Sequence, residues 1–394
     1  MRDAAKLINA LFFLFLLLLV VGIARGCAGR IGNTGGEAAP EPRAHADFMP
    51  DDPGSAGKPG GWAELQWNFT GANGVEAPAA WDNLLADGHP GGDGVTVAVL
   101  DTGVAYADSY RYLRSPDLGA TRFVPGYDFV GNDPYPFDLN GHGTHVASTI
   151  AEDTNNALAV AGLAYGVRIM PVRVLNRYGA GSATTVARGI RYAVDHGAQV
   201  LNLSLSFAYR TTAAQIPQVI QGLDYARDRG SLVVASAGNS GRPVIPYPAR
   251  LNNVLAVGAT TEHACKSSFS NYGPDLDLVA PGGGRDSGIA GDRNCRAGRL
   301  GRPIYQMTFR SPNVRTFYLR GFAGTSMAAP HVTATAALVI SSGVLGANPS
   351  PERIAEQLTS TARDLGAPGE DRRYGWGLVN AGAATAPTWT EGSG

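Results

Sequence analysis

Residues 94–104 read "GVTVAVLDTGV". From Val95 to Leu100 every side chain is β-branched or apolar. That continuous run suits a parallel strand buried on both faces better than an alternating, half-exposed one. An acid, Asp101, follows at once. A carboxylate at the end of a buried strand is costly unless it is hydrogen-bonded. Asp101 therefore fits either a structural cap for the next turn or a member of a site at the sheet edge.

The same strand signature recurs in "GVRIMPVRVL" (166–175), "AQVLNLSLS" (198–206), "GSLVVASAG" (230–238) and "NNVLAVGAT" (252–260). Helical stretches are expected at 142–152, 183–196, 214–229, 326–342 and 351–362, with Ser350 and Pro351 as N-cap and first residue of the last. Strands alternating with helices imply an α/β fold, a three-layer doubly wound parallel sheet with helices on both faces. Sites in such sheets form past the carboxyl ends of strands. The positions to inspect are Asp101, Ser204–Phe207 and Gly238–Asn239, with the helix starts at His142 and Ser326.

The 394-residue chain has a net charge of −1, and 16% of its residues are charged. That balance leaves no footprint for nucleic acid. "MRDAAK" followed by "LINALFFLFLLLLVVGI" resembles an export signal or a short membrane anchor over residues 1–26, with lipidation at Cys27 as a further route. Export places the remainder outside the cytoplasm. Residues 27–63, rich in Gly and Pro, read as a linker; a single domain is expected over 64–385 and a flexible tail over 386–394. With Cys27 assigned to the export region, Cys265 and Cys295 are left to pair in an oxidising compartment.

Four blocks carry chemistry. "DTGV" holds Asp101. "NGHGTHVA" sets His142 at a helix start between Gly141 and Gly143, with His145 one turn on; His145 fits a core histidine better than a metal ligand, since no third ligand is near in sequence. "SAGN" ends in Asn239, either a turn residue or a donor to an oxyanion. "GTSMAAPH" holds Ser326, either a helix cap or a nucleophile. An orienting acid, a base, an oxyanion donor and a nucleophile are the members of an acyl-transfer site.

Those blocks, in that order, resemble the signatures of the subtilisin superfamily of serine proteases. "GYDFVGNDPYPFDLNGHGTH", "TNNALAVAGLAYG" and "SSFSNYG" resemble its thermitase-like and secreted bacterial branches. The resemblance covers residues 66–382. It implies a subtilisin-like fold, a triad of Asp101, His142 and Ser326, and Asn239 as oxyanion donor. It implies that substrate lies along Ser204, Leu205 and Ser206 on one side and Gly179 and Gly181 on the other, with Ser236 and Gly238 at the primary pocket. Ser206 stands where the family usually has glycine. Tyr247-Pro248 matches a position that is often cis.

The resemblance also implies structural calcium. Gln66, Asp117 and Asn156 would be side-chain ligands, and Thr154, Leu158 and Val160 would offer carbonyls. A weaker second site falls near Asp128 and Asp133, where Gly131 replaces a family aspartate. Substrates would be proteins or peptides, acted on by a monomer. Two departures stand out: residues 27–63 do not suffice for the family's prodomain, and residues 282–320 look like an inserted loop or hairpin near the active site. A rival α/β-hydrolase needs Asp and then His after the serine, and only His331 follows closely. A second rival is a catalytically silent, membrane-tethered binding module.

Overall fold

Strand β1 (Thr96–Asp101) is buried at all six positions. The computed structural model describes residues 48–55 and 57–387. Val97 and Val99 point into one hydrophobic cluster, Ala98 and Leu100 into a second. This is why the run is continuous in sequence: both faces of the strand are covered.

Eight strands form the sheet. They include β2 (Arg122–Phe123), β3 (Tyr127–Asp128), β4 (Arg168–Arg173), β5 (Val200–Leu203), β6 (Leu232–Ser236), β7 (Leu255–Thr260) and β8 (Leu278–Pro281). The order is β2-β4-β1-β5-β6-β7-β8, with β3 also beside β4. All pairings are parallel. After β1 the chain builds β4 on one side, then returns to build β5 on the other. That reversal opens a crevice at the carboxyl end of β1, where Asp101 sits.

Helices α1 (Ala77–Ala86), α2 (His142–Ala151), α5 (Thr325–Ser342) and α6 (Pro351–Ser360) pack into the first cluster; α3 (Ala183–Asp195) and α4 (Pro217–Asp228) pack into the second. Helix α5 is buried from Met327 through Val339. A helix apolar all round belongs in the centre of a core. Ser350 caps α6, accepting a hydrogen bond from the Arg353 N–H. The strands and helices expected from periodicity are present, with ends shifted by a few residues.

Residues 282–320, expected as an inserted loop or hairpin, hold both. A short pair, β9 (Gly284–Arg285) with β10 (Leu300–Gly301), closes a small excursion, and a hairpin of β11 (Ile304–Arg310) and β12 (Asn313–Phe322) leads into α5. Cys265 and Cys295 form a disulfide across that excursion, as expected. Tyr247-Pro248 is cis, and so is Ser311-Pro312 in the hairpin turn.

The expected linker also needs correcting. Its first part, with the export segment and Cys27, lies outside the described residues, as do residues 388–394 of the tail. From Phe48 onward the chain is packed. Phe48 meets Trp81 edge-on at 5.9 Å. The Trp62 indole N–H donates to the Pro50 carbonyl at 2.9 Å. Asp52 and Trp62 are fully buried. The fold thus takes in residues 48–55 and 57–63, as an irregular strap anchored at single points, which leaves no periodicity to read. Among the described residues no helix is long and apolar enough to cross a membrane.

Trp62→Ala, made in a Ser326→Ala background to prevent autolysis, should destabilise the protein by about 3–5 kcal/mol in urea denaturation. A tryptophan in a mere linker would cost nothing measurable.

Candidate active site

The crevice brings three separate chain segments together. Asp101 is fully buried and its Oδ1 accepts two hydrogen bonds, from the Thr102 N–H at 2.7 Å and from the His142 ring at Nδ1 at 2.8 Å. That contact requires helix α2 to start almost on top of β1. A Cβ on Gly143 would come within 2.2 Å of the Gly103 carbonyl oxygen, and one on Gly141 within 2.5 Å of the Phe309 carbonyl oxygen; Gly141 is also left-handed, at φ 100°. Only glycine lets the helix approach this closely.

Asp138 holds this junction, and the sequence reading passed over it. Its buried carboxylate accepts from the Asn140, Gly141 and Thr144 N–H groups and from the Thr102 and Thr144 hydroxyls. The Thr102 hydroxyl oxygen in turn accepts from the Gly143 N–H. Burial disfavours a charged His142 ring, but the Asp101 charge and hydrogen bond, with Asp138 behind them, outweigh it and hold the ring above its ordinary pKa.

Ser326 does not cap α5. The N-cap is Gly324, which supplies no side-chain oxygen. Asn239 does that work from another loop: its Oδ1 accepts from the Thr325 N–H at 2.8 Å and the Thr325 hydroxyl at 2.9 Å. Fixing the oxygen there turns the amide nitrogen the other way. A Cβ on Gly324 would stand 3.4 Å from that nitrogen. Asn271, another residue not singled out from sequence, props the Asn239 loop. Its Nδ2 donates to the Ala237 carbonyl, and its Oδ1 accepts from the Ser240 and Arg242 N–H groups.

Pro330 adds a second constraint. It lacks the N–H that would reach back four residues to the Ser326 carbonyl. The Ser204 hydroxyl fills that place, donating to the Ser326 carbonyl at 2.8 Å. Ser204 is itself held by Asn202, and Asn202 by the Thr333 hydroxyl. The Ser326 hydroxyl rests against the Ser204 carbonyl at 3.2 Å. The serine expected as a cap or a nucleophile is thus the one small polar side chain left facing the cleft at the start of α5.

The cleft is about 480 Å³ and is lined by His142, Ser326, Gly179, Gly181, Ser204, Leu205 and Ser206 among others. Leu175, Val186 and Leu205 give it an apolar floor. Ser206 is exposed and has no positive φ, so a serine is accommodated there without strain. Ser236 and Gly238 lie behind the cleft wall rather than in it. The Ser236 hydroxyl donates to the Leu205 carbonyl at 3.4 Å. A Cβ on Gly238, at φ 91°, would overlap Asn271 Nδ2 at 2.5 Å. A larger hollow of about 770 Å³ lies under the disulfide-tied excursion, but none of the candidate groups lines it.

Two other histidines are core residues. His145 packs on Phe322, faces the Ile304 and Arg320 carbonyls, and burial pushes its pKa down to about 3. His331 is buried against Asn68 and the Met327 carbonyl and is pushed by burial to about 4. With His331 so enclosed, the serine-first order of an α/β-hydrolase has no base.

The expected metal ligands are only partly together. Asn156 Nδ2 donates to Asp117 Oδ1 at 2.8 Å, and the Val160 N–H donates to Asp117 Oδ2 at 3.2 Å. Gln66 meets the same loop one residue beyond Val160, paired with both the N–H and the carbonyl of Ala161. The Thr154 hydroxyl donates to the Glu152 carbonyl, and the Leu158 N–H donates to the Asn156 side-chain oxygen. The second carboxylate at this loop is Asp52, which accepts from the Asn155 and Asn156 N–H groups. Burial first, and the neighbouring charge of Asp52 among lesser causes, push Asp117 up to about 8. Two buried carboxylates to which no basic side chain among the described residues is bonded are a donor set that suits a hard cation. Among the described residues no three His, Cys, Asp or Glu side chains converge on a metal position. At the weaker site the expectation of a metal gives way to a built-in cation. Asp128 Oδ2 pairs with Arg173 at 2.6 Å, and its Oδ1 accepts from the Val130 and Gly131 N–H groups.

A parallel α/β sheet with an acid–histidine pair and a helix-start serine in one cleft has the make-up of a serine hydrolase. The Subtilase family profile matches residues 92–377, and the chain belongs to that family. It is a serine endopeptidase by class. It is 42% identical over 264 residues to the thermophilic serine proteinase of Bacillus sp. (strain AK1), which covers 67% of this chain and 55% of that protein. It is 40% identical over 318 residues to subtilisin Savinase of Lederbergia lenta, covering 80% of this chain and 97% of that one. Among solved structures, a protease from Pseudoalteromonas arctica PAMC 21717 superposes with a TM-score of 0.67 at 30% identity, covering 86% of this chain and 99% of the other.

In Ser326→Ala protein the His142 ring should titrate above pH 6.5 by proton NMR, and Asp101→Asn should bring it down. A raised folded pKa adds stability that is complete below pH about 6.5 and fades as pH rises through the folded value. A ring titrating below 6.5 with Asp101 intact would contradict the contact.

Proposed function

We propose that this chain is an exported endopeptidase that cleaves peptide bonds through a triad of Asp101, His142 and Ser326, with Asn239 as oxyanion donor. The observation that carries the reading is the 2.8 Å contact between buried Asp101 and His142 in the cleft that Ser326 also lines. His142 takes the Ser326 hydroxyl proton at Nε2 as the oxygen attacks the substrate carbonyl. Asp101 keeps Nδ1 protonated and steadies the imidazolium. The developing oxyanion is met by the Asn239 amide nitrogen and the Ser326 N–H. His142 then protonates the leaving amine, and water hydrolyses the acyl ester by the same steps in reverse. Export is supported by the Cys265–Cys295 disulfide, a bond of oxidising compartments.

Calcium is part of the proposal, as a structural ion. When bound it would supply the positive charge that Asp52 and Asp117 lack, with the Asn156 side-chain oxygen and nearby loop carbonyls completing an oxygen shell.

Ser326→Ala should abolish peptide hydrolysis without loss of fold, judged by circular dichroism. Asn239→Ala should lower kcat by about 10²–10³, the size seen when such a donor is removed from a subtilisin, with little change in KM. A pure KM effect would count against the oxyanion role.

Excess calcium should raise the Tm of Ser326→Ala protein over that of EDTA-treated protein, corresponding to about 2.7 kcal/mol at a hundredfold excess over Kd. Asp117→Asn should remove the difference. Equal Tm values after metal analysis confirms stripping would sink the calcium assignment.

A further inference from the structure

We propose that the cleft selects peptides carrying acidic side chains, through arginines carried on its two rims. The inference rests on the endopeptidase reading and adds a substrate class to it.

One rim continues from the cleft wall at Ser204–Ala208. Tyr209 comes next and stands between two arginines: the Arg242 guanidinium lies 4.3 Å from its ring centroid and that of Arg210 lies 5.3 Å away. The aromatic face limits where both charges can go. The backbone beneath is fixed as well. The Phe207 N–H donates to the Tyr247 carbonyl at 2.8 Å. The Arg242 N–H donates to Asn271 Oδ1 at 3.0 Å, and its carbonyl accepts from the Tyr272 N–H at 3.0 Å. Asn271 is the residue that props the Asn239 loop, so Arg242 is held in the frame of the site itself.

The opposite rim carries Arg177. Asn140, which lines the cleft, donates to the Arg177 carbonyl at 2.9 Å. The turn is pinned by Asn176, whose side-chain oxygen accepts from the Tyr178 and Ala180 N–H groups. Arg177 is exposed. Among the described residues none of the three arginines takes part in a salt bridge. Among the described residues no Asp or Glu lines the cleft. The chain as a whole is balanced, with 32 basic and 33 acidic residues. The positive rim is therefore a local arrangement, and it would attract a complementary charge in an extended peptide.

Cleavage of one peptide carrying Glu, Gln or Lys in turn at each position around the scissile bond tests this. Exposed charge pairs contribute modestly, so Glu should exceed Gln in kcat/KM by roughly three- to tenfold at one position or more, with Lys below Gln. The ratio should shrink when ionic strength rises to about 1 M, where the Debye length is about 3 Å. In an Arg210→Gln, Arg242→Gln double variant, or after adding Arg177→Gln, the Glu-to-Gln ratio should fall toward one. Binding of the same peptides to Ser326→Ala protein reads selection without turnover, so a failure of the endopeptidase reading shows separately, as absent hydrolysis in wild type. No Glu preference at any position in either assay, or a preference that survives the triple variant, would overturn the proposal.

Discussion

Everything at the site depends on one constraint: the carboxyl end of β1 must be both buried and hydrogen-bonded. The sheet order reverses at that strand, so two neighbours diverge there and leave a crevice. Asp101 is buried there, and an uncompensated carboxylate at that depth would be expensive. Its compensation is the Thr102 N–H and the His142 ring. That in turn requires α2 to begin against β1, which requires Gly141 and Gly143, and requires the five hydrogen bonds that Asp138 accepts to hold the junction. The histidine is oriented by the fold's own need to satisfy a buried charge.

The serine side follows a parallel logic with neutral groups. Asn239 caps α5 in place of a residue in the helix's own sequence, and so its amide nitrogen is aimed by the requirement to satisfy the Thr325 N–H. Pro330 opens the first turn, and the relay of Thr333, Asn202 and Ser204 closes it again at the Ser326 carbonyl. Hydroxyls and amides here are oriented before any substrate arrives, which is what preorganised stabilisation of an oxyanion requires.

Much of this was legible in the sequence because it is written in local pattern. Buried strands such as 94–100 have no alternation, Ser350-Pro351 announces a helix start, and Asp101, His142, Asn239 and Ser326 sit in short distinctive blocks. What escaped is long-range. Asn271 acts on a loop far from itself in sequence, and Asp138, though most of its partners lie just after it, ties that helix start to Thr102 36 residues back; an isolated Asp or Asn in a loop looks like any other turn residue. Asp52 hid in a Gly- and Pro-rich strap that has no period to read. Gln66 was placed at the metal loop by resemblance alone, and its pairing with Ala161, 95 residues on, has no mark in the local sequence. Arg173 could not be seen to neutralise Asp128, because nothing in a strand's own sequence says which strand its end will pair with.

The central claim is that Ser326 is the nucleophile and His142 its base. Labelling the folded protein with a fluorophosphonate, followed by peptide mapping, tests it most directly. The account predicts a single stoichiometric adduct on the Ser326 hydroxyl, and loss of labelling in His142→Ala protein that keeps its fold. An adduct on another residue, or no adduct on natively folded wild-type protein, would contradict it.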